Sequence, residues 1–243
     1  MFFLHCLILK SRGILFFKGK IIELGAPHSQ TNRFFKKENI HSFKKNVNLS
    51  LFYHLPKTRK QQTKQRQMNL SLNEINQLEI WTERNCGEIV FDSDKDDWSD
   101  NTSIFGDRVM NKSNLLYIIE DTNGNVFGGY ITSSFIGQYN KWIADTNAFV
   151  FSLRLKGKLN EMKRFNINQS KASKAFAIDA KTNNGYLFHF GGEPGSSQDI
   201  CIRRKGKQGS YCYQYTYNYN GTSNALCGGK DFTPKRFIVI QMK

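Results

Sequence analysis

Leu115-Leu-Tyr-Ile-Ile-Glu-Asp-Thr-Asn-Gly-Asn-Val-Phe-Gly-Gly-Tyr130 is the stretch on which the fold turns. Leu115–Ile119 is an unbroken apolar run, as expected of a central strand covered on both faces. Asp121-Thr-Asn-Gly124 interrupts it, and Asn123-Gly124 supplies the positive φ angles that a tight hairpin requires. The return strand, 125–132, carries Gly128-Gly129 in its middle. Paired glycines weaken a strand, so they mark a bulge or the close approach of another backbone.

Outward from this hairpin the grammar stays that of short strands. Residues 89–91 precede it, and 148–154, 163–167, 174–180, 186–190, 200–203 and 237–242 follow, joined by turns such as Thr182-Asn-Asn-Gly185. Many short strands with Gly/Asn turns argue for a two-sheet antiparallel sandwich. Upstream, Ser71-Leu-Asn-Glu74 fits a capping box, and Leu72, Ile75 and Leu78 recur at helical spacing, which predicts a helix over 71–84. Residues 103–110 are the other expected helix. The fold class is therefore mainly β with peripheral helices (α+β).

Charge divides the chain. The 243 residues carry a net charge of +15, but residues 1–70 hold 14 Lys/Arg against Glu23 and Glu38 alone. The remaining 21 Lys/Arg face 18 Asp/Glu, so the region from Ser71 onward is close to balanced. This removes most of the electrostatic case for a nucleic-acid-binding domain. Residues 57–67 are almost wholly polar and basic, which predicts a disordered linker. Residues 1–67 thus form a basic extension and 68–243 the folded domain, its β core over 86–243. The extension is either a basic arm for nucleic acid or acidic membrane, or an untranslated stretch with Met68 the true start. The change of character at Met68 favours the second.

The apolar run Phe2–Leu9 lacks a basic stretch before it and is broken by Lys10 and Arg12, so it is not read as a signal peptide. No stretch approaches the ~20 apolar residues of a membrane-spanning helix. Cys6, Cys86, Cys201, Cys212 and Cys227 form no CxxC pair, which predicts free thiols in a reducing, cytoplasmic setting. Asp92, Asp94 and Asp96 have the spacing of a calcium loop, but Asp97 and Ser103 stand where that loop needs Gly and Glu. The acidic stretch reads as a solvated loop after an edge strand. Gly191-Gly-Glu-Pro-Gly195 lacks the Lys-Ser/Thr end of a phosphate loop; Glu193 and Asp199 beside it either line a contact surface or face water, and the second is the expectation. Cys212 with His189 is the one pairing that suggests a thiol nucleophile. Tyr211, Tyr213, Tyr215, Tyr217 and Tyr219 alternate strictly, so in a strand they share one face. Their neighbours Cys212, Gln214, Thr216 and Asn218 supply no cations, which favours core or partner-interface packing over a base-stacking platform.

Taken together, the blocks around the hairpin resemble the TLDc domain family, the module of oxidation-resistance-type proteins. The resemblance rests on Leu115–Tyr130 with its Phe127-Gly128-Gly129-Tyr130 return strand. Asp145-Thr-Asn-Ala-Phe149-Val-Phe151-Ser152-Leu153 follows, then Tyr186-Leu-Phe-His-Phe-Gly191-Gly192-Glu193, Ile200–Arg203, Ser210-Tyr-Cys212 and Phe232–Met242, in the family's order. The Asn-rich loops and Asp92–Asp97 are more similar to TLDc proteins of amoeboid protists than to animal members. The resemblance implies a TLDc-type sandwich and a non-enzymatic binding or regulatory module without a cofactor. Its family-signature positions would be Asn123, Gly124, Phe127, Gly128, Gly129, Tyr130, Phe149, Phe151, Ser152, Gly191, Gly192, Glu193 and Cys212. It implies a protein partner, with the vacuolar proton pump as a candidate, and a role in oxidative-stress protection. The rival readings are a thiol-dependent enzyme using Cys212, and a nucleic-acid or membrane-surface binder acting through residues 1–67.

Overall fold

The computed structural model describes residues 6–9, 14–17, 20–23 and 59–243, apart from 157, 183–184 and 193–196. The chain divides into two units, Met1–Pro56 and Lys57–Lys243. In the first, Cys6–Leu9 (β1), Ile14–Phe17 (β2) and Lys20–Glu23 (β3) pair as an antiparallel meander. These are short apolar runs between basic residues, too brief to establish a period. The rest of Met1–Pro56 lies outside the described residues.

The second unit opens with Arg59–Met68 (α1), where the sequence reading expects a disordered linker. Gln, Lys and Arg are good helix formers once a surface is available. Tertiary contacts hold this helix: Lys64 pairs with Glu79 at 3.0 Å, Arg236 donates to the Gln67 carbonyl, and Met68 is buried. Asn69 ends it at φ 56°. Leu72–Thr82 (α2) then starts at the expected capping box, with Ser71 Oγ accepting from Glu74 N and Glu74 Oε2 accepting from Ser71 N. Phe105–Val109 (α3) is the one turn that forms within the expected helix 103–110.

Twelve further strands make two antiparallel sheets. The first takes Cys86–Asp92 (β4), Leu115–Asp121 (β5), Val126–Ile131 (β6), Phe149–Leu155 (β8), Lys158–Asn166 (β9) and Pro234–Met242 (β15), in the order β4-β15-β5-β6-β8-β9. The second takes Trp142–Ile143 (β7), Phe176–Ile178 (β10), Tyr186–Phe190 (β11), Ile200–Arg203 (β12), Ser210–Tyr211 (β13) and Asp231–Phe232 (β14), in the order β14-β13-β12-β11-β10-β7. Residues expected as a strand over 174–180 divide in two: Gln169–Lys174 is a 3-10 turn capped by Asn168, and β10 begins only at Phe176. The two-residue strands β7, β13 and β14 are too short to leave a pattern in the sequence.

β5 lies in the middle of the first sheet, and Leu115–Ile119 is buried throughout. Leu116 and Ile118 face one side, Tyr117 and Ile119 the other. Between the sheets, Tyr117 meets Phe176, Phe188 and Phe190 at ring distances of 4.9 to 5.2 Å. Phe105 of α3 closes one side of this core, stacked on Phe188 at 5.1 Å. On the other side of the first sheet, Leu116, Ile118, Phe149, Phe151 and Ile240 are covered by Ile75, Leu78 and Trp81 of α2. One charged contact anchors that helix: Glu74, fully buried, accepts from both Nε and Nη2 of Arg154 on β8.

The hairpin loop differs in detail from the expectation. Of Asn123 and Gly124 only Gly124 takes a positive φ, 78°. Asp121 N donates to Asn125 O, Gly124 N to Asp121 O, and Asp121 Oδ1 accepts from the amides of Asn123 and Asn125. Three residues close the turn instead of two, and that geometry needs one left-handed residue only. The paired glycines answer two different neighbours. A Cβ on Gly128 would lie 1.8 Å from the Tyr117 carbonyl oxygen of β5, and one on Gly129 would lie 2.4 Å from the Phe190 ring of the second sheet.

Candidate functional site

The signature positions build the sandwich and do not all converge on one place. Asn123 and Gly124 form the β5–β6 turn, and Phe127 packs edge-on against Phe232 at 5.0 Å in the central core. Tyr130, Phe149 and Phe151 belong to the layer beneath α2, and Ser152 is buried opposite Phe127. Gly191 (φ 62°) and Gly192 (φ 105°) make the turn that follows β11. Glu193 lies outside the described residues.

Asp199 overturns the expectation that it faces water. It is fully buried, and its carboxylate accepts from the amides of Tyr215, Thr216 and Tyr217 and from the Tyr219 hydroxyl, at 2.8 to 3.2 Å. Burial raises its carboxyl above the ordinary value in spite of these four donors. A Cβ on Gly191 would come within 2.1 Å of Asp199 Oδ2, so the glycine turn makes room for this hub.

The same hub settles the tyrosine run. Only Ser210–Tyr211 is a strand; beyond it the chain is irregular and hangs from Asp199. Tyr217 and Tyr219 are buried, Tyr215 is 41% exposed, and Tyr211 and Tyr213 are half-buried, so the five rings do not share one face. Alternation predicts a common face only while the strand persists.

His189 and Cys212 are not brought together. In the second sheet the pairings Trp142–Ala177, Ala177–His189, His189–Cys201, Cys201–Tyr211 and Tyr211–Asp231 place one row of residues across the side away from the core. Cys212 belongs to the core cluster on the opposite side. His189 packs tilted against the Trp142 ring at 5.0 Å and sets Nδ1 3.1 Å from Asp179 Oδ2. The cysteine opposite this His–Asp pair is Cys201, a residue that sequence spacing did not single out. It is fully buried and its thiol is pushed up to about 12 by burial, so it stays protonated near neutral pH.

The acidic loop after β4 is also less solvated than expected. Asp92 is buried and takes both Nε and Nη2 of Arg236, with Lys95 at 3.2 Å, while Asp96 pairs with Arg108. Among the described residues, no three His, Cys, Asp or Glu side chains converge as a metal site.

What remains is the outer side of the second sheet. Helix α2 covers the corresponding side of the first sheet; here aromatic rings and cations stand half-exposed instead. Tyr211 and Tyr213 meet edge-to-face at 5.3 Å, Tyr211 donates to Gln198, and Lys230 Nζ lies over the Tyr213 ring at 4.7 Å. Arg203 covers the Tyr186 ring at 4.2 Å; outside the strands of the sheet, Lys171 of the 3-10 turn covers Tyr215 at 3.6 Å. The cations that the local sequence around the tyrosines lacks therefore arrive from other segments. None of Lys171, Arg203 and Lys230 pairs with a carboxylate among the described residues. Half-buried Tyr, Trp and Arg in one region are the residue types that dominate protein–protein hot spots.

The fold and this surface define a two-sheet β-sandwich that buries its polar hubs and presents an aromatic, cationic sheet face. The TLDc domain family model matches residues 60–239. The chain belongs to the TLDc domain family, and the match takes in α1 and α2 as well as the β core. No curated protein matches the chain.

Proposed function

We propose that this chain is a non-enzymatic TLDc-type binding module that engages a protein partner through the outer side of its second sheet. The observation that carries the reading is the row from Trp142 and His189 to Tyr211, Tyr213 and Lys230, with Tyr186–Arg203 beside it. The near balance of charge from Ser71 onward favours a protein over nucleic acid, because a nucleic-acid platform needs a dominant positive field. Cations that lie over aromatic rings and, among the described residues, meet no carboxylate favour an acidic segment of that partner. Membership of the TLDc family supports the vacuolar proton pump as the partner and oxidative-stress protection as the setting, in a cytoplasmic location. No helix among the described residues is long and apolar enough to cross a membrane.

The test is co-purification of the full chain with proton-pump subunits. Binding is expected to fall at least ~10-fold in Tyr213→Ala and Lys230→Glu variants, the range of an interface hot spot. Unchanged binding in both variants, or binding carried wholly by residues 1–67, refutes the reading. Hydrolase or peroxidase turnover abolished by Cys212→Ser supports the thiol-enzyme alternative.

A further inference from the structure

Cys212 and Cys227 bracket the irregular segment after β13, and the fold returns both to the same place. The Cys212 amide donates to the Lys230 carbonyl at 2.7 Å, and Cys227 Sγ lies 3.1 Å from the Gly229 carbonyl oxygen. The two residues therefore flank one short turn, and both lie in the central core cluster, where their thiols interact. Cys227 is held in register by Asn125, whose Nδ2 donates to its carbonyl at 2.8 Å. Both residues are largely buried, Cys212 at 8% and Cys227 at 6% exposure, whereas their neighbours in the turn, Gly228 and Lys230, are exposed.

We propose that Cys212 and Cys227 form a redox-active dithiol that hydroperoxides oxidise to an intramolecular disulfide. The pair is asymmetric. Interaction with the Cys212 thiol, which outweighs burial, and the backbone bond at Gly229 lower the Cys227 thiol, whereas burial and the same interaction push Cys212 well up. Cys227 is thus the attacking sulfur and Cys212 the resolving one. The Cys227 thiolate attacks one oxygen of hydrogen peroxide, the O–O bond breaks, and Cys227 becomes a sulfenic acid. The departing hydroxide takes the Cys212 proton and leaves as water. The Cys212 thiolate then attacks the Cys227 sulfur and the S–O bond breaks. The second hydroxide takes up the proton released when Cys227 ionised and leaves as a second water. The two thiols lose one electron pair to the peroxide. By contrast, burial pushes both Cys86 and Cys201 up to about 12, and neither has a hydrogen-bonded thiol partner. The disulfide would close the loop that carries Tyr213, Tyr215, Tyr217 and Tyr219.

The experiment uses the full chain, reduced and freed of reductant, then exposed to hydrogen peroxide, denatured, alkylated and mapped by peptide mass spectrometry. The expected result is loss of alkylation at Cys212 and Cys227 together, with a linked peptide pair lacking two hydrogens, before Cys86 or Cys201 changes. In Cys212→Ser, dimedone is expected to label Cys227 as the sulfenic acid. In Cys227→Ser, Cys212 is expected to oxidise no faster than Cys201. A wild-type chain that links another pair of cysteines overturns the proposal, as does one whose Cys212 and Cys227 stay alkylatable while other thiols oxidise. Both of those readouts need no variant to fold.

Discussion

Replacing Gly128, Gly129 and Gly229 each by alanine tests whether close approach selects glycine in this sandwich. At Gly128 the new methyl would sit 1.8 Å from the Tyr117 carbonyl oxygen and 2.9 Å from the Phe151 ring. The oxygen belongs to a central strand bonded on both sides, so relief requires β5 and β6 to part locally. Losing one or two ladder bonds costs about 1 kcal/mol each, and overpacking adds about 1–3 kcal/mol. Stiffening of the unfolded chain returns about 0.4–1 kcal/mol, which leaves a net loss of about 3 kcal/mol. At Gly129 the obstacle is the Phe190 ring, 2.4 Å away and itself wedged against Tyr117 and Phe176 at 5.2 and 4.8 Å. No ladder bond is lost there, so the net loss is about 1–2 kcal/mol. Gly229 has nothing within 4 Å and no positive φ. Alanine there is expected to be neutral or to stabilise by up to about 1 kcal/mol. Urea unfolding followed by tryptophan fluorescence reads the right unit, because Trp81, Trp98 and Trp142 all lie within Lys57–Lys243. With a slope of about 2 kcal/mol per molar urea, Gly128→Ala is expected to lower the midpoint by about 1.5 M at unchanged slope. A Gly128→Ala midpoint equal to wild type, or a Gly229→Ala midpoint as low as that of Gly128→Ala, refutes the reasoning.

Three further outcomes follow from the same contacts. The Tyr117 hydroxyl is completely buried with no hydrogen-bond partner among the described residues, so Tyr117→Phe is expected to raise the urea midpoint, by about 1 kcal/mol of stability. Arg154→Ala strands the fully buried Glu74 and is expected to cost about 3–5 kcal/mol, with a matching fall in thermal midpoint. For Asp92, burial raises the carboxyl but Arg236, the Asp94 amide and Lys95 outweigh it, so the group titrates below its ordinary 3.8. Its contribution is therefore present above the unfolded value and lost as pH falls through the folded one. The stability gap between wild type and Arg236→Gln is expected to narrow on acidification from about pH 5 to about pH 2, measured by urea unfolding at each pH. A gap that widens over that range shows the carboxyl is not held down by the guanidinium.

Local chemistry determined much of this protein. The apolar run of β5, the Gly-containing turn after it, the capping box at Ser71 and the short-strand grammar fixed a two-sheet sandwich with a helix before it, because each signal is complete within a few residues. The TLDc resemblance rested on those same blocks. Tertiary structure decided the rest. A helix over Arg59–Met68 exists because Glu79 and Arg236 hold it, and neither lies within the segment. Asp199 could be read as solvated until the chain around Tyr215–Tyr219 was seen to fold over it. Tyrosines that alternate in sequence separate because the strand stops at Tyr211. Cations reach their rings from Lys171, Arg203 and Lys230, distant in sequence, so the aromatic face was not legible where its tyrosines stand. The one histidine that the sequence offered Cys212 as a rival partner lies elsewhere: the sheet pairings put His189 on the side away from the core, while the return of the chain at Gly229 brings Cys227 to the turn that Cys212 flanks. Periodicity reports which residues share a surface within one element; which surfaces and side chains meet is set by strand order, and strand order is a long-range property.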